Sequence, residues 1–237
     1  MFSDPKDVTK MLIYDVGMHN GDDTAYYLMK GAKVIAVEAD PALCASARER
    51  FASEITQNTL TILNVAVSDQ EGEVDFFINE NSTVESSLHG RERPGFKKVR
   101  VNAYRLSQLF KMYGMANFAK IDVEHYDHII LRDLRTACCV PDHLSVEAHN
   151  FEVVRELLRC DFGKFRLLRG NTIARRFANH KINTPDGAKT YSFPKHSSGP
   201  FGDDLNEPWI SAEAIVTTWL VRGSLYGQSW YDIHAMK

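Results

Sequence analysis

The chain has 237 residues, with 28 Lys and Arg against 31 Asp and Glu and a formal net charge of −3. Hydrophobic residues make up 44% and charged residues 25%, the balance of an ordinary globular chain that buries a substantial core. That charge argues against a dedicated nucleic-acid binder, which carries a strong basic excess, and no stretch approaches the about 18 uninterrupted apolar residues of a membrane span.

The opening MFSDPKDVTK lacks the basic and apolar regions of a signal peptide. Cys44, Cys138, Cys139 and Cys160 form no CxxC pattern. A reducing cytoplasm is expected rather than a disulfide scaffold.

MLIYDVG (11–17) reads as a buried strand, and DDTAYYLMKGA (22–32) as a helix with acidic residues in its first turn. KVIAVEAD (33–40) is a second strand, PALCASARERFASEI (41–55) a helix opened by Pro41, and TLTILNVAVSD (59–69) a third strand. This alternation predicts βαβ units and a parallel sheet. EGEVDFFIN (71–79) alternates like an exposed antiparallel strand, and HGRERPGFKKVR (89–100) reads as a basic, solvated hairpin face. AYRLSQLFKMYG (103–114) is a helix closed by Gly114. NFAKIDVE (117–124) and DHLSVEAHN (142–150) are strands, followed by helices over 128–135 and 151–160. The stretch 161–208 is rich in turn residues and is expected to be a long loop or lid with an apolar tip in KHSSGPFGDDL (195–205), before a helix over 210–224. One domain over 1–237 is expected, with a core at about 11–160 and acceptor-side loops, lid and final elements in 161–237.

The turn after the first strand, Asp15 to Thr24, has Gly17 and Gly21 in GxxxG spacing, so the dinucleotide fingerprint GxGxxG is missing. Asp22 and Asp23 repel a pyrophosphate at that helix start. Glu38, closing the second strand, suits the two hydroxyls of a ribose, and Asp15 suits an ammonium group. A ribose partner, a cation partner and no phosphate cradle together describe S-adenosylmethionine (SAM). The same turn residues also suit an ordinary βα connection. The candidate cofactor set is Asp15, Gly17, His19, Gly21, Thr24, Glu38, Ala39, Ser68 and Asp122.

DVGMHNGDDTAYYL, AVEADP, NVAVSDQEGEVDFF, AKIDVEHYDHIILRDL and LSVEAH follow in order and together resemble the FkbM-type methyltransferases, over roughly residues 12–158. The resemblance implies a SAM-dependent O-methyltransferase with a class I (Rossmann-like) fold: a mostly parallel seven-stranded sheet, an antiparallel last pair and helices on both faces. It also implies a hydroxyl of a carbohydrate or small natural product as acceptor. The chain departs from the family where His125-Tyr126-Asp127 replace Gly-small-Glu, which puts bulk near the methyl-transfer site.

Methyl transfer to a hydroxyl needs positioning and a group to take the proton. Asp122, Glu124 and His149 are the catalytic candidates. Asp122 and Glu124, and likewise Glu147 and His149, are spaced to share one side of a strand end. Asp122 and Glu124 suit a proton or a divalent cation, or serve only to bond the cofactor and order a loop; His149 beside Glu147 suits a general base or a satisfied structural histidine. No compact His/Asp motif fixes a metal on Asp122, Glu124, Glu147 and His149, so none is assigned. A nucleic-acid methyltransferase and a non-catalytic SAM binder remain alternatives, and homo-oligomerisation is open.

Overall fold

Short apolar runs become strands that lie side by side, as their spacing predicts. The computed structural model describes residues 11–88, 93–223 and 230–237. His89 and Arg91 of the basic run, and the last residue of the expected 210–224 helix, lie outside the described residues.

The first half builds β1 (Leu12–Val16), α1 (Asp22–Met29), β2 (Lys33–Glu38), α2 (Pro41–Arg50), α3 (Ala52–Thr56) and β3 (Leu60–Asn64). Asp40 caps α2, its carboxylate accepting the Ala42 N–H at 2.8 Å. The helix expected over 41–55 breaks at Phe51, whose φ of −112° leaves the helical region. The third strand also divides, because the Asn64 side chain donates to the carbonyls of Glu38 and Ala39 at 3.0 Å each. Beyond that clamp, β4 (Ala66–Val67) leaves the main sheet. It joins β5 (Gly72–Asn79) and β6 (Phe96–Tyr104) in a three-stranded sheet of order β4-β6-β5.

α4 (Leu106–Tyr113), β7 (Phe118–Ile121), α5 (Asp127–Thr136), β8 (His143–Glu147) and α6 (Phe151–Arg159) follow as expected. The stretch read as a loop is different. It contains β9 (Lys164–Arg169), the single-turn α7 (Ile173–Arg176) and a hairpin of β10 (His180–Thr184) and β11 (Gly187–Tyr191). β12 (Ile210–Ser211), α8 (Ala212–Gly223) and β13 (Tyr231–Met236) complete the chain. The 195–205 segment is packed down rather than free. Its Phe201 ring stacks on Phe118 at 4.5 Å, and Asp204 pairs with buried Lys30 at 2.5 Å.

The main sheet has the order β12-β9-β13-β8-β7-β1-β2-β3, parallel except for β13 and β12, which run antiparallel to their neighbours. It has eight strands where seven were expected, the extra one being the two-residue edge β12. Alternate strand residues feed two cores. Tyr14, Val16, Ile121 and Val146 meet α4, α5, α6 and α8 on one face. Ile13, Val34, Ala36 and Phe118 meet α1 and the Phe193–Leu205 region on the other. No helix among the described residues is long and apolar enough to cross a membrane.

The second face buries polar groups without partners. His234 of β13 lies opposite Ser145 of β8, and neither of its ring nitrogens has a hydrogen-bond partner, nor does Nε2 of His143. Burial, then Arg166, holds His143 down at about 4, and burial pushes His234 well below its usual value. Both rings are therefore neutral in the fold, while the unfolded chain takes up protons as pH falls below 6.5. Their contribution to stability is present above that value and is lost on acidification. Replacing His234→Leu removes the unpaired atoms and is expected to stabilise the chain at pH 5 by about 1–3 kcal/mol, more than at pH 7.5. Urea denaturation at both pH values checks this; an equal effect at both would remove His234 as a source of acid lability.

Candidate functional site

The strand order reverses between β1 and β7, and there the carboxyl ends of β1, β2, β7 and β8 open on a cavity of about 320 Å³. Open α/β sheets bind ligands at this position. One wall is apolar, with Val37, Ala39, Leu43, Val67 and Phe76. The lining is also acidic, with Asp22, Asp23, Glu38, Glu85, Asp122, Glu124 and Glu147. Trp230 and His196 also line the cavity, their rings stacked 5.6 Å apart.

The first turn is shaped by the protein itself. Gly17 has φ +81°, and a Cβ there would lie 1.8 Å from the Asp122 carbonyl oxygen. Its N–H and that of Met18 both donate to Val37 O at 3.0 Å, which pins the turn against β2. Gly21 was expected to let a ligand approach the backbone. Instead the Phe51 ring occupies that space, 2.6 Å from where a Cβ would sit. The break between α2 and α3 and the glycine of the turn are thus one packing feature.

Glu38 is buried at the end of β2 and faces the cavity. Its Oε2 accepts the His19 N–H and its Oε1 the Asp40 N–H, each at 2.8 Å. These bonds fix the carboxylate and leave further lone pairs for a ligand. Burial raises its pKa, against the pull of the two N–H donors.

A residue that the sequence reading passed over organises the rest. Lys120, buried on β7, donates to Gly17 O at 2.8 Å. Its ammonium lies 3.2 Å from Asp122, 3.5 Å from Asp15 and 3.9 Å from Asp23. Burial alone would lower its pKa, but the three carboxylates hold it above the usual lysine value. Asp15 therefore meets this protein cation, along with the Thr24 hydroxyl at 2.5 Å, rather than a ligand in the cavity. Asp23 accepts from the Ser198 N–H at 3.0 Å and is pushed up to about 7 by burial, against the pull of Lys120. A lysine inside the apolar run FAKI was the available signal, because a lysine on a buried strand has to be paired.

At the ends of β7 and β8 the carboxylates crowd together. Burial and the charge of Asp122 push Glu147 well above the usual carboxylate range, and the two side chains hydrogen-bond. Burial works against the Asp122 charge, but Lys120 and Glu147 overcome it and hold Asp122 below the usual range. Burial, then the charges of Asp122 and Asp127, pushes Glu124 up to about 8. Glu124 and His125 have φ of +43° and +72°, consecutive left-handed residues where the chain departs from the Gly-containing pattern. That conformation suits a glycine, so the replacement costs backbone strain here.

Of the expected site residues, Gly17, His19, Glu38, Ala39, Asp122 and Glu124 line the cavity. Asp15, Gly21, Thr24 and Ser68 stand outside its lining, as does His149, whose Nε2 lies 3.9 Å from Glu124 and 2.9 Å from Glu147.

The family described as Methyltransferase FkbM domain matches residues 15–167, well over half of the chain. Among solved structures, methyltransferase FkbM from Methylobacillus flagellatus is 15% identical with a TM-score of 0.44, over 68% of this chain and 40% of that one. Precorrin-6y C5,15-methyltransferase from Geobacter metallireducens is 10% identical with a TM-score of 0.44, over 96% of this chain and 79% of that one. The 1,6-didemethyltoxoflavin-N1-methyltransferase of Burkholderia thailandensis, solved with S-adenosylhomocysteine, is 14% identical with a TM-score of 0.41, over 96% of this chain and 71% of that one. This chain thus spans less than half the length of the Methylobacillus protein. No curated protein sequence matches it significantly.

Proposed function

The chain belongs to the FkbM methyltransferase family, with its class I Rossmann-like fold, and from that premise we propose that it moves a methyl group from SAM to a hydroxyl of a carbohydrate or small natural product. The observation that carries the cofactor reading is Glu38, a preoriented carboxylate in a cavity whose lining is acidic. A ribose diol fits that acceptor, the apolar wall suits an adenine, and the acidic lining favours a cation over a phosphate. SAM supplies an electrophilic methyl on a sulfonium.

The chain's own residues position the reactants. Anionic Asp122, fixed by Lys120 and Glu147, attracts the positively charged end of the cofactor. Together with Glu124 it forms the wall that receives the acceptor hydroxyl and its proton. Packing of 195–205 over α1 limits the entry of water from that side. The unpaired cysteines suit the reducing cytoplasm proposed as its location.

Asp122→Asn tests the reaction centre. Turnover of labelled SAM on hydroxylated acceptors is expected to fall about a hundredfold. S-adenosylhomocysteine affinity, read by calorimetry, changes less. Equal turnover in the variant would remove Asp122 from the transfer step, and wild-type protein that binds no S-adenosylhomocysteine would overturn the cofactor reading.

A further inference from the structure

The donor atoms of Glu124, His125 and His149 lie within 4.8 Å of one another at the edge of the cavity. His149 Nε2 is 3.9 Å from Glu124 Oε2, and the His125 and His149 rings are 4.4 Å apart. Two further carboxylates aim at the same nitrogen, Glu147 Oε2 at 2.9 Å and Asp127 Oδ2 at 3.7 Å.

These groups do not satisfy one another. His149 Nε2 has no hydrogen-bond partner, although Glu147 Oε2 lies 2.9 Å away. Asp127 is fully buried, and its Oδ2 has no partner either. Glu147 is served by its hydrogen bond to Asp122, but one imidazole N–H can serve a single carboxylate, so Glu124 and Asp127 around that nitrogen cannot both be served. Ligands held about 2.0–2.2 Å from one ion stand roughly 3–3.5 Å from each other. The separations of 2.9, 3.7 and 3.9 Å around His149 Nε2 bracket that spacing.

We propose that Glu124, His125 and His149 bind a divalent transition-metal ion, with the carboxylate of Asp127 or Glu147 completing the site. Imidazole mixed with carboxylate favours Mn²⁺ or Zn²⁺, whereas Mg²⁺ prefers oxygen ligands and retained waters. His125 is the residue this chain has in place of the family's glycine, so the site belongs to this sequence rather than to the family pattern. Because Glu124 also lines the cavity, the ion acidifies a hydroxyl placed beside it, leaving Asp122 free to take the proton. That role rests on the methyl-transfer reading; ion binding does not.

The test titrates the full chain, stripped with EDTA, with Mn²⁺, followed by electron paramagnetic resonance and calorimetry. Mn²⁺ avoids the exposed thiol of Cys138. One saturable equivalent, displaced by Zn²⁺, is expected. His125→Gly and His149→Ala are each expected to weaken binding about tenfold or more. His125→Gly suits the left-handed backbone, so it separates loss of the ligand from loss of the fold. Circular dichroism verifies both variants. Absence of saturable Mn²⁺ binding, binding indifferent to both substitutions, or a site that takes Mg²⁺ as tightly as Mn²⁺ would each overturn the proposal. Methyl transfer by the EDTA-treated chain is read separately, so failure of the ion site and failure of the methyl-transfer reading are distinguishable.

Discussion

Lys120→Met is expected to destabilise the chain by about 3–5 kcal/mol, the usual result of leaving buried charge without its partner. The methionine nearly fills the same volume, so packing is retained. What disappears is an ammonium within 4 Å of Asp15, Asp23 and Asp122, together with the donor to the Gly17 carbonyl. The carboxylates respond by holding protons, which sets the sign of the pH dependence. Asp23 already titrates near 7 with Lys120 present. Without the lysine all three pKa values rise, so the folded variant binds more protons than the unfolded chain up to a higher pH. Its stability then falls as pH rises, and the gap from wild type is wider at pH 8 than at pH 5.5. Denaturant midpoints at both values measure this. A loss below about 1 kcal/mol that is flat with pH would mean the three carboxylates are not held by this cation.

The same cluster explains what the sequence yields and what it withholds. Apolar runs on either side of Gly17 and Gly31 make the parallel strands legible, because strands buried on both faces read as nearly continuous hydrophobic segments. β13 is harder, since YDIHAM carries Asp232 and His234 into the core and interrupts the pattern. β9, as KFRLLR, and the polar hairpin β10–β11 look like loop for a similar reason. Glycines mislead in another way. The spacing GxxxG signals a tight turn correctly, but what fills the space beside each glycine is set far along the chain: the Asp122 carbonyl beside Gly17, and the Phe51 ring beside Gly21.

The acidic pairs were reached through a geometry that the chain does not use. Asp122 and Glu124 were expected on one side of a strand, yet β7 stops at Ile121 and Glu124 turns left-handed. His149 likewise lies beyond the last residue of β8. What joins them runs across the strands, Asp122 to Glu147 and Glu124 to His149 at 3.9 Å, because two neighbouring parallel strands end at the same level and their following loops meet. Adjacency of strand ends, a property of the sheet, assembles the site. Periodicity within one strand does not.

Glu38→Gln is expected to weaken S-adenosylhomocysteine by about 3 kcal/mol, roughly a hundredfold. The carboxylate already accepts the His19 and Asp40 N–H groups. Ionised, it still has acceptor sites for two ribose hydroxyls, whereas an amide replaces one oxygen by a donor. That donor opposes either a backbone N–H or a hydroxyl, so one hydrogen bond to the ligand or to the turn is lost along with the charge. Alanine is a poorer probe, since it strands two N–H donors and disturbs the turn whether or not a ligand binds there. Glutamine keeps the volume and one acceptor, and a melting temperature close to wild type certifies the fold. Adenosine alone should lose affinity by the same factor as S-adenosylhomocysteine, because the contact is to the ribose. If S-adenosylhomocysteine weakens while adenosine does not, Glu38 faces the amino-acid end and the cofactor lies reversed in the cavity. If neither changes, the nucleoside is held elsewhere and the ribose assignment fails.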